Sequence, residues 1–160
     1  MESARAAARD DLATLLVLAG EFVAELRADR GGATWAAREA PPPPDLAAIE
    51  RAGRDEDALL LTGCIDDVVV GYAAADVERL HDGTRLAVLR ALYVEPAARG
   101  VGVGHALLDA VLGWARTRGT AGLDSLALPG SRDAKNFFEA HGLVARAIVV
   151  HRRFPDGTVG

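Results

Sequence analysis

The run Leu92-Tyr93-Val94-Glu95-Pro96-Ala97-Ala98-Arg99-Gly100-Val101-Gly102-Val103-Gly104 constrains this chain more than any other segment. An apolar strand is expected over residues 85–95, Pro96 breaks it, and an amphipathic helix follows from about 105 to 118. Between them stand an arginine and three alternate glycines. Glycine reaches backbone dihedrals closed to other residues and lets main-chain N–H groups approach a ligand. A helix start adds unpaired donors and partial positive charge. Strand, glycine turn and helix start together predict a cradle for phosphate or diphosphate, with Arg99 as a bidentate clamp.

Spacing narrows what the cradle holds. A P-loop needs Gly, four residues, then Gly-Lys-Ser/Thr, whereas Gly104 precedes His105 and Ala106. A Gly-x-Gly-x-x-Gly dinucleotide fingerprint started at Gly100 puts His105 in its last place, and started at Gly102 it puts Leu107 there. Neither fits. Arg-x-x-Gly-x-Gly does, at Arg99, Gly102 and Gly104.

The remaining patterns give an order of elements. A short strand is expected over 3–9, then a helix from Asp10 or Asp11 carrying Leu12, Leu15, Leu18, Phe22 and Leu26 at helical spacing, ended by Gly31-Gly32. Residues 33–44 read as irregular, with Pro41–Pro44 a stiff extended piece, followed by a helix over 45–53. Two β-rich runs, 58–65 and 68–77, flank Asp66-Asp67, a hairpin signal. After the glycine turn and its helix come a strand over 123–128, a helix over 132–141 and a last strand over 143–152. A meander followed by a β-α-β crossover predicts an α/β fold with a mixed, mostly antiparallel sheet flanked by helices.

Composition sets limits. The 160 residues suit a single domain over 1–160. A net charge of −5 argues against nucleic acid as the main partner. Cys64 is the one cysteine, in an apolar strand pattern, so it reads as a buried structural thiol with no intrachain disulfide. There is no Cys-x-x-Cys and no His-Glu-x-x-His, so no metal site is expected. Without a signal-like segment or a long apolar run, the expectation is a cytoplasmic protein with no membrane contact.

The Arg99–Gly104 loop resembles the acyl-CoA loop of the GNAT N-acetyltransferase family. The Asp-Asp-x-Val-Val-Gly-Tyr turn at 66–72 and Ala134-x-x-Phe137-Phe138-x-x-x-Gly142-Leu143 extend the likeness over nearly the whole chain. The resemblance implies acetyl-CoA or another acyl-CoA as cosubstrate and direct acyl transfer to an amine. It implies acceptor-side helices within about 10–53 and an acyl-CoA-binding core at about 85–142. The main chain of Leu92, Tyr93 and Val94 would pair with the pantetheine arm, an N–H at Tyr93 or Val94 would polarise the thioester carbonyl, and Arg99, Gly100, Val101, Gly102, Val103 and Gly104 would hold the diphosphate. Ser131 and Phe138 would line the arm, and some relatives pair terminal strands into homodimers.

Two catalytic features of the family differ here. Phe138 stands where a tyrosine often protonates the departing thiolate, and Ser131 where an asparagine is usual. A thiol of pKa near 8.5 leaves at a protonation cost of only about 2 kcal/mol at pH 7, and general-acid help is worth about 10²–10⁴-fold. Loss of the tyrosine therefore slows transfer without forbidding it. Tyr93 has two readings, a phenol facing the acyl site or a ring in the core. Asp76, Glu78, His81 and Glu95 are candidate bases, with Glu78 carried forward. Trp35 reads equally as part of an acceptor lid or of a rigid surface loop. The acceptor stays open among small amines, aminoglycosides, amino acids and protein termini. A second function, acyl-CoA binding without catalysis, is kept because of Phe138.

Overall fold

The computed structural model describes residues 1–156. Strand β1 (Glu2–Ala6) leads through a 3₁₀ turn into α1 (Leu12–Ala28), followed by α2 (Gly32–Arg38) and α3 (Leu46–Arg54). The meander is β2 (Ala58–Ile65), β3 (Val68–Arg79) and β4 (Arg85–Val94); then come α4 (Val103–Thr117), β5 (Leu123–Asp124) and α5 (Arg132–Ala140). The sheet runs β1-β2-β3-β4-β5, antiparallel except for the β4–β5 pair. This is the expected mixed α/β fold. Among the described residues, no helix is long and apolar enough to cross a membrane.

Local chemistry explains most boundaries. Asp66 and Asp67 both take positive φ, 46° and 68°, the backbone twist a two-residue hairpin needs. The Asp45 side chain accepts from the Ala48 amide and caps α3. Asp11 accepts from the Ala8 amide at 2.7 Å and from both Arg5 Nη atoms at 2.7 and 3.0 Å, joining the entrance of α1 to β1.

The two faces of the sheet carry separate cores. One packs α1–α3 and holds Leu15, Leu18, Phe22, Trp35, Ile49, Leu60, Tyr72, Ala91 and Tyr93. The other packs α4 and holds Leu61, Ala73, Leu89, Val103, Leu107, Leu108 and Val111, with Phe137 and Phe138 of α5 against it. Gly63 and Gly71 are register partners on β2 and β3. A Cβ at Gly63 would stand 2.6 Å from Val103 Cγ1 and 2.9 Å from Leu107 Cδ1. The bare strand thus admits the first turns of α4, and this seating fixes where the glycine turn sits.

Three expectations are corrected. Residues 32–38 are helical rather than irregular, because Trp35 is buried edge-on against Phe22 with centroids 5.3 Å apart; it is core, not lid. The strand expected over 123–128 stops at Asp124, since β5 pairs only with Ala87 and Val88 before β4 bends away. Lacking that ladder, residues 143–152 form no strand, and Val144, Ile148, Val149 and Val150 are exposed.

Candidate active site

A one-residue bulge makes the site. On β4, Ala91 pairs with Ala74 and Leu89 with Ala75, so Arg90 is the extra residue. The bulge shifts which side chains face which core: Leu89 lies on the α4 side, whereas Ala91 and Tyr93 lie on the α1 side. It shifts the main chain equally. The Glu95 amide bonds the Val70 carbonyl, so by antiparallel alternation residues 91, 93 and 95 turn their N–H and C=O groups to β3. Leu92 and Val94 turn theirs the other way, towards the gap left where β5 stops. The structure therefore brings Leu92 and Val94 backbones to the gap and takes the Tyr93 amide out of it, leaving the Val94 N–H as the free donor at that end.

The glycine turn closes the end of the gap. Gly100 has φ 86° and Gly102, the residue before α4, has φ 106°, both left-handed and favouring glycine. The first main-chain bond of α4 runs from Ala106 N to Gly102 O, so the amides just before it have no partner within the helix. Val103 is buried on Gly63, and Val101 is half exposed at the rim. Gly104 faces inward, its virtual Cβ 3.4 Å from the Phe137 ring. His141 Nδ1 lies 2.9 Å from the Phe137 carbonyl oxygen and so donates to it, and its Nε2 then accepts from His105 Nδ1 at 2.9 Å. This relay ties the start of α4 to the end of α5.

Arg99 does not point into the turn. Its Nε donates to the Val94 carbonyl oxygen at 2.8 Å, and its Nη2 reaches Glu25 Oε1 at 2.9 Å. The guanidinium lies 5.3 Å from the Tyr93 ring centre. The Tyr93 ring is core, packed 6.0 Å from Phe22, while its hydroxyl reaches Glu21 Oε2 at 3.3 Å. Burial, then the Glu21 and Glu25 carboxylates, push the Tyr93 phenol up to about 12. A phenol that weak as an acid donates a hydrogen bond but is poorly matched to protonating a thiolate of pKa near 8.5.

Beside Tyr93 opens a cleft of about 590 Å³ lined by Glu21, Ala24, Glu25, Tyr93, Glu95, Pro96 and Ala97. Glu95 was expected here; Glu21 and Glu25 on α1 were not. Their i, i+4 spacing on an otherwise apolar helix was the available signal. A smaller groove of about 260 Å³ lies at the far end of α4, around Trp114 and Arg118, away from the glycine turn.

Glu78 is not at this site. It binds Arg90 Nη2 at 2.7 Å, alongside Asp76 at 2.9 Å. Its register partner is Leu86, whereas Tyr93 pairs with Tyr72. Six residues of strand put it roughly 20 Å away. Asp76 is occupied by the same arginine, and His81 lies in the exposed turn beyond β3. Ser131 precedes α5 with no side-chain cap bond, and Phe138 is half-buried beside Phe137. Cys64 is buried, as expected.

The fold has counterparts among known proteins. The model of the acetyltransferase (GNAT) family matches residues 21–143. The chain belongs to that family. It is an acetyltransferase by that membership, and solved structures share its fold. An aminoglycoside acetyltransferase, AAC(6')-Iy, in complex with the bisubstrate analogue CoA-S-monomethyl-acetylneamine aligns with TM-score 0.71 and 20% identity over 96% of this chain and 98% of its own. A ribosomal-protein-alanine N-acetyltransferase from Brucella melitensis biovar Abortus 2308 gives 0.66 and 19%, over 96% and 99%. Glucosamine-6-phosphate N-acetyltransferase from Arabidopsis thaliana gives 0.67 and 14%, over 96% and 99%. No curated protein sequence matches the chain significantly.

Proposed function

We propose that this GNAT protein transfers an acetyl group from acetyl-CoA directly to a primary amine. One observation carries the reading: the outward-turned main chain of Leu92 and Val94 is followed, after a single 3₁₀ turn at Pro96–Ala98, by the glycine turn at the start of α4. An amide-bearing arm finds donors and acceptors along β4, and a diphosphate finds the amides of Val101 to His105. The bound cosubstrate supplies the thioester. The Val94 N–H then faces the thioester oxygen as negative charge develops on it.

The amine nitrogen forms a bond to the acyl carbon, the carbon–sulfur bond breaks and the sulfur leaves as thiolate, and the nitrogen gives its second proton through water to that thiolate as the amide forms. An alkyl amine of pKa near 10.4 must first lose a proton, at a cost of about 4.6 kcal/mol at pH 7. The carboxylates of Glu21 and Glu95 line the cleft from which it enters, and they accept that proton directly or through water. Ser131, at the start of α5, donates a hydrogen bond to the arm or the sulfur.

Calorimetric titration with acetyl-CoA, with CoA and NADH as comparators, tests the site; release of CoA across a panel of primary amines tests the chemistry. Absence of acetyl-CoA binding refutes both. Binding without CoA release on any amine favours the second reading, an acyl-CoA-binding module. Phe138 supports that reading, since it presents no hydroxyl to the thiolate. Phe138→Tyr is then expected to create transfer where the parent has none. A homodimer is part of the proposal: the exposed apolar residues Val144 and Ile148 to Val150 offer pairing to a second copy, and sedimentation as a monomer rejects it.

A further inference from the structure

Arg99 holds two groups at once, one on β4 and one on α1. Its Nε occupies the Val94 carbonyl oxygen at 2.8 Å, the outward-facing acceptor at the end of β4. Its Nη2 holds Glu25 Oε1 and Oε2 at 2.9 and 3.0 Å, on α1. The side chain lies over the Tyr93 ring, across the join between the β4 gap and the acidic cleft. It is turned away from the glycine turn that begins one residue later.

An arm seated along β4 has to take the place of the Arg99 Nε at Val94. The guanidinium so displaced has a diphosphate within reach at Gly100 and Gly102, and a guanidinium matches phosphate oxygens in a bidentate fork. Glu25 holds it weakly. Both side chains are more than two-fifths exposed, 44% and 42%, and ion pairs of that exposure stabilise little.

We infer that Arg99 and Glu25 form an exchange latch: the diphosphate takes Arg99 from Glu25, and the freed Glu25 carboxylate then faces the cleft where the amine enters. The inference rests on the acetyl-CoA reading above. It makes Glu25 a specificity residue for acceptors that carry an ammonium group, because that carboxylate loses its internal cation only in the loaded protein. Arg99 and Glu25 are positioning residues here.

The test is calorimetric titration of CoA into the parent, Glu25→Gln, Arg99→Met and the double variant. Glu25→Gln removes the competitor for Arg99 and is expected to tighten CoA about two- to fivefold, the range that an exposed ion pair allows. Arg99→Met is expected to weaken CoA about tenfold or more. In the Arg99→Met background, Glu25→Gln is expected to change nothing, since the two act as a unit. Weakening by Glu25→Gln overturns the latch, because Glu25 would then be bracing a loop strut. Equal tightening in both backgrounds overturns it too, because that is general charge repulsion, and no change in the parent background overturns it likewise. A parent that binds no CoA refutes the acetyl-CoA reading and the latch together, whereas every other adverse result touches the latch alone.

Discussion

Replacing Gly102 and Gly104 singly with alanine separates backbone conformation from crowding in the glycine turn. Gly102 sits at φ 106°, ψ −2°, and its virtual Cβ meets only the Glu2 side chain, at 3.6 Å. Alanine there finds room but pays for the dihedral, about 1–3 kcal/mol for a residue held in that region. With a typical domain stability of about 5–15 kcal/mol the variant still folds, with Tm lower by about 2–12 °C. To relieve the strain the turn rotates and the amides swing off the diphosphate. Each bond from such a donor to a charged oxygen is worth about 1.5–3 kcal/mol, so CoA affinity is expected to fall about 10–100-fold. Gly104 lies in the first turn of α4, and its virtual Cβ points inward to the Phe137 ring at 3.4 and 3.5 Å, ordinary contact that leaves the ligand side clear. Gly104→Ala is expected to raise Tm slightly, by up to about 1 kcal/mol of helix propensity, and to keep CoA affinity within about threefold. Thermal denaturation and calorimetric CoA titration read both quantities. Equal loss of affinity in the two variants refutes the argument, because it would mean that the turn works by lacking side chains and not by its left-handed residue.

Three further outcomes are expected. Glu78→Gln, roughly 20 Å from Tyr93 along the strand, leaves kcat/KM within about twofold in the CoA-release assay; a hundredfold loss would return Glu78 to the site. The Arg5 guanidinium and the Ala8 amide hold the Asp11 carboxyl below the usual carboxylate range, so its stabilisation is present above pH 4 and fades as pH falls through the lowered native value. Asp11→Ala should cost about 1–3 kcal/mol at pH 7 and less at pH 2–3 in denaturant titrations; an equal cost at both would exclude the ion pair. Tyr93 titrates near 12 in the folded chain against 10 when unfolded, so the native state binds more protons above pH 10 and stability falls from pH 10 towards 12. Burial raises the Tyr72 phenol as well, so Tyr93→Phe should lessen that fall without abolishing it, as chemical denaturation from pH 9 to 11.5 would register.

Features set by neighbouring residues were legible in the sequence. The Asp66-Asp67 turn, the short helix after the prolines and the strand–glycine–helix unit depend on chemistry within a few positions, and each lies where the pattern puts it. Features set by tertiary contact were not. Helix α2 exists because Trp35 docks on Phe22, a contact that overrides a glycine- and proline-flanked segment. The strand expected at 143–152 needed a partner, and β5 is only two residues long. The Arg99–Glu25 pair joins residues 74 apart, and Tyr93–Glu21 joins residues 72 apart. No local pattern encodes which partner wins.

The extra residue at Arg90 has a consequence for how this chain can change. If β4 slipped by one residue beyond this point, so that Arg90 entered the ladder opposite Ala74, the Leu92 and Val94 groups would turn to β3 and those of Tyr93 away from it. The main-chain groups that now face outward at Leu92 and Val94 would then be consumed by the protein's own ladder. The site is in this sense a dislocation in a sheet, set by one surplus residue that has no partner on β3.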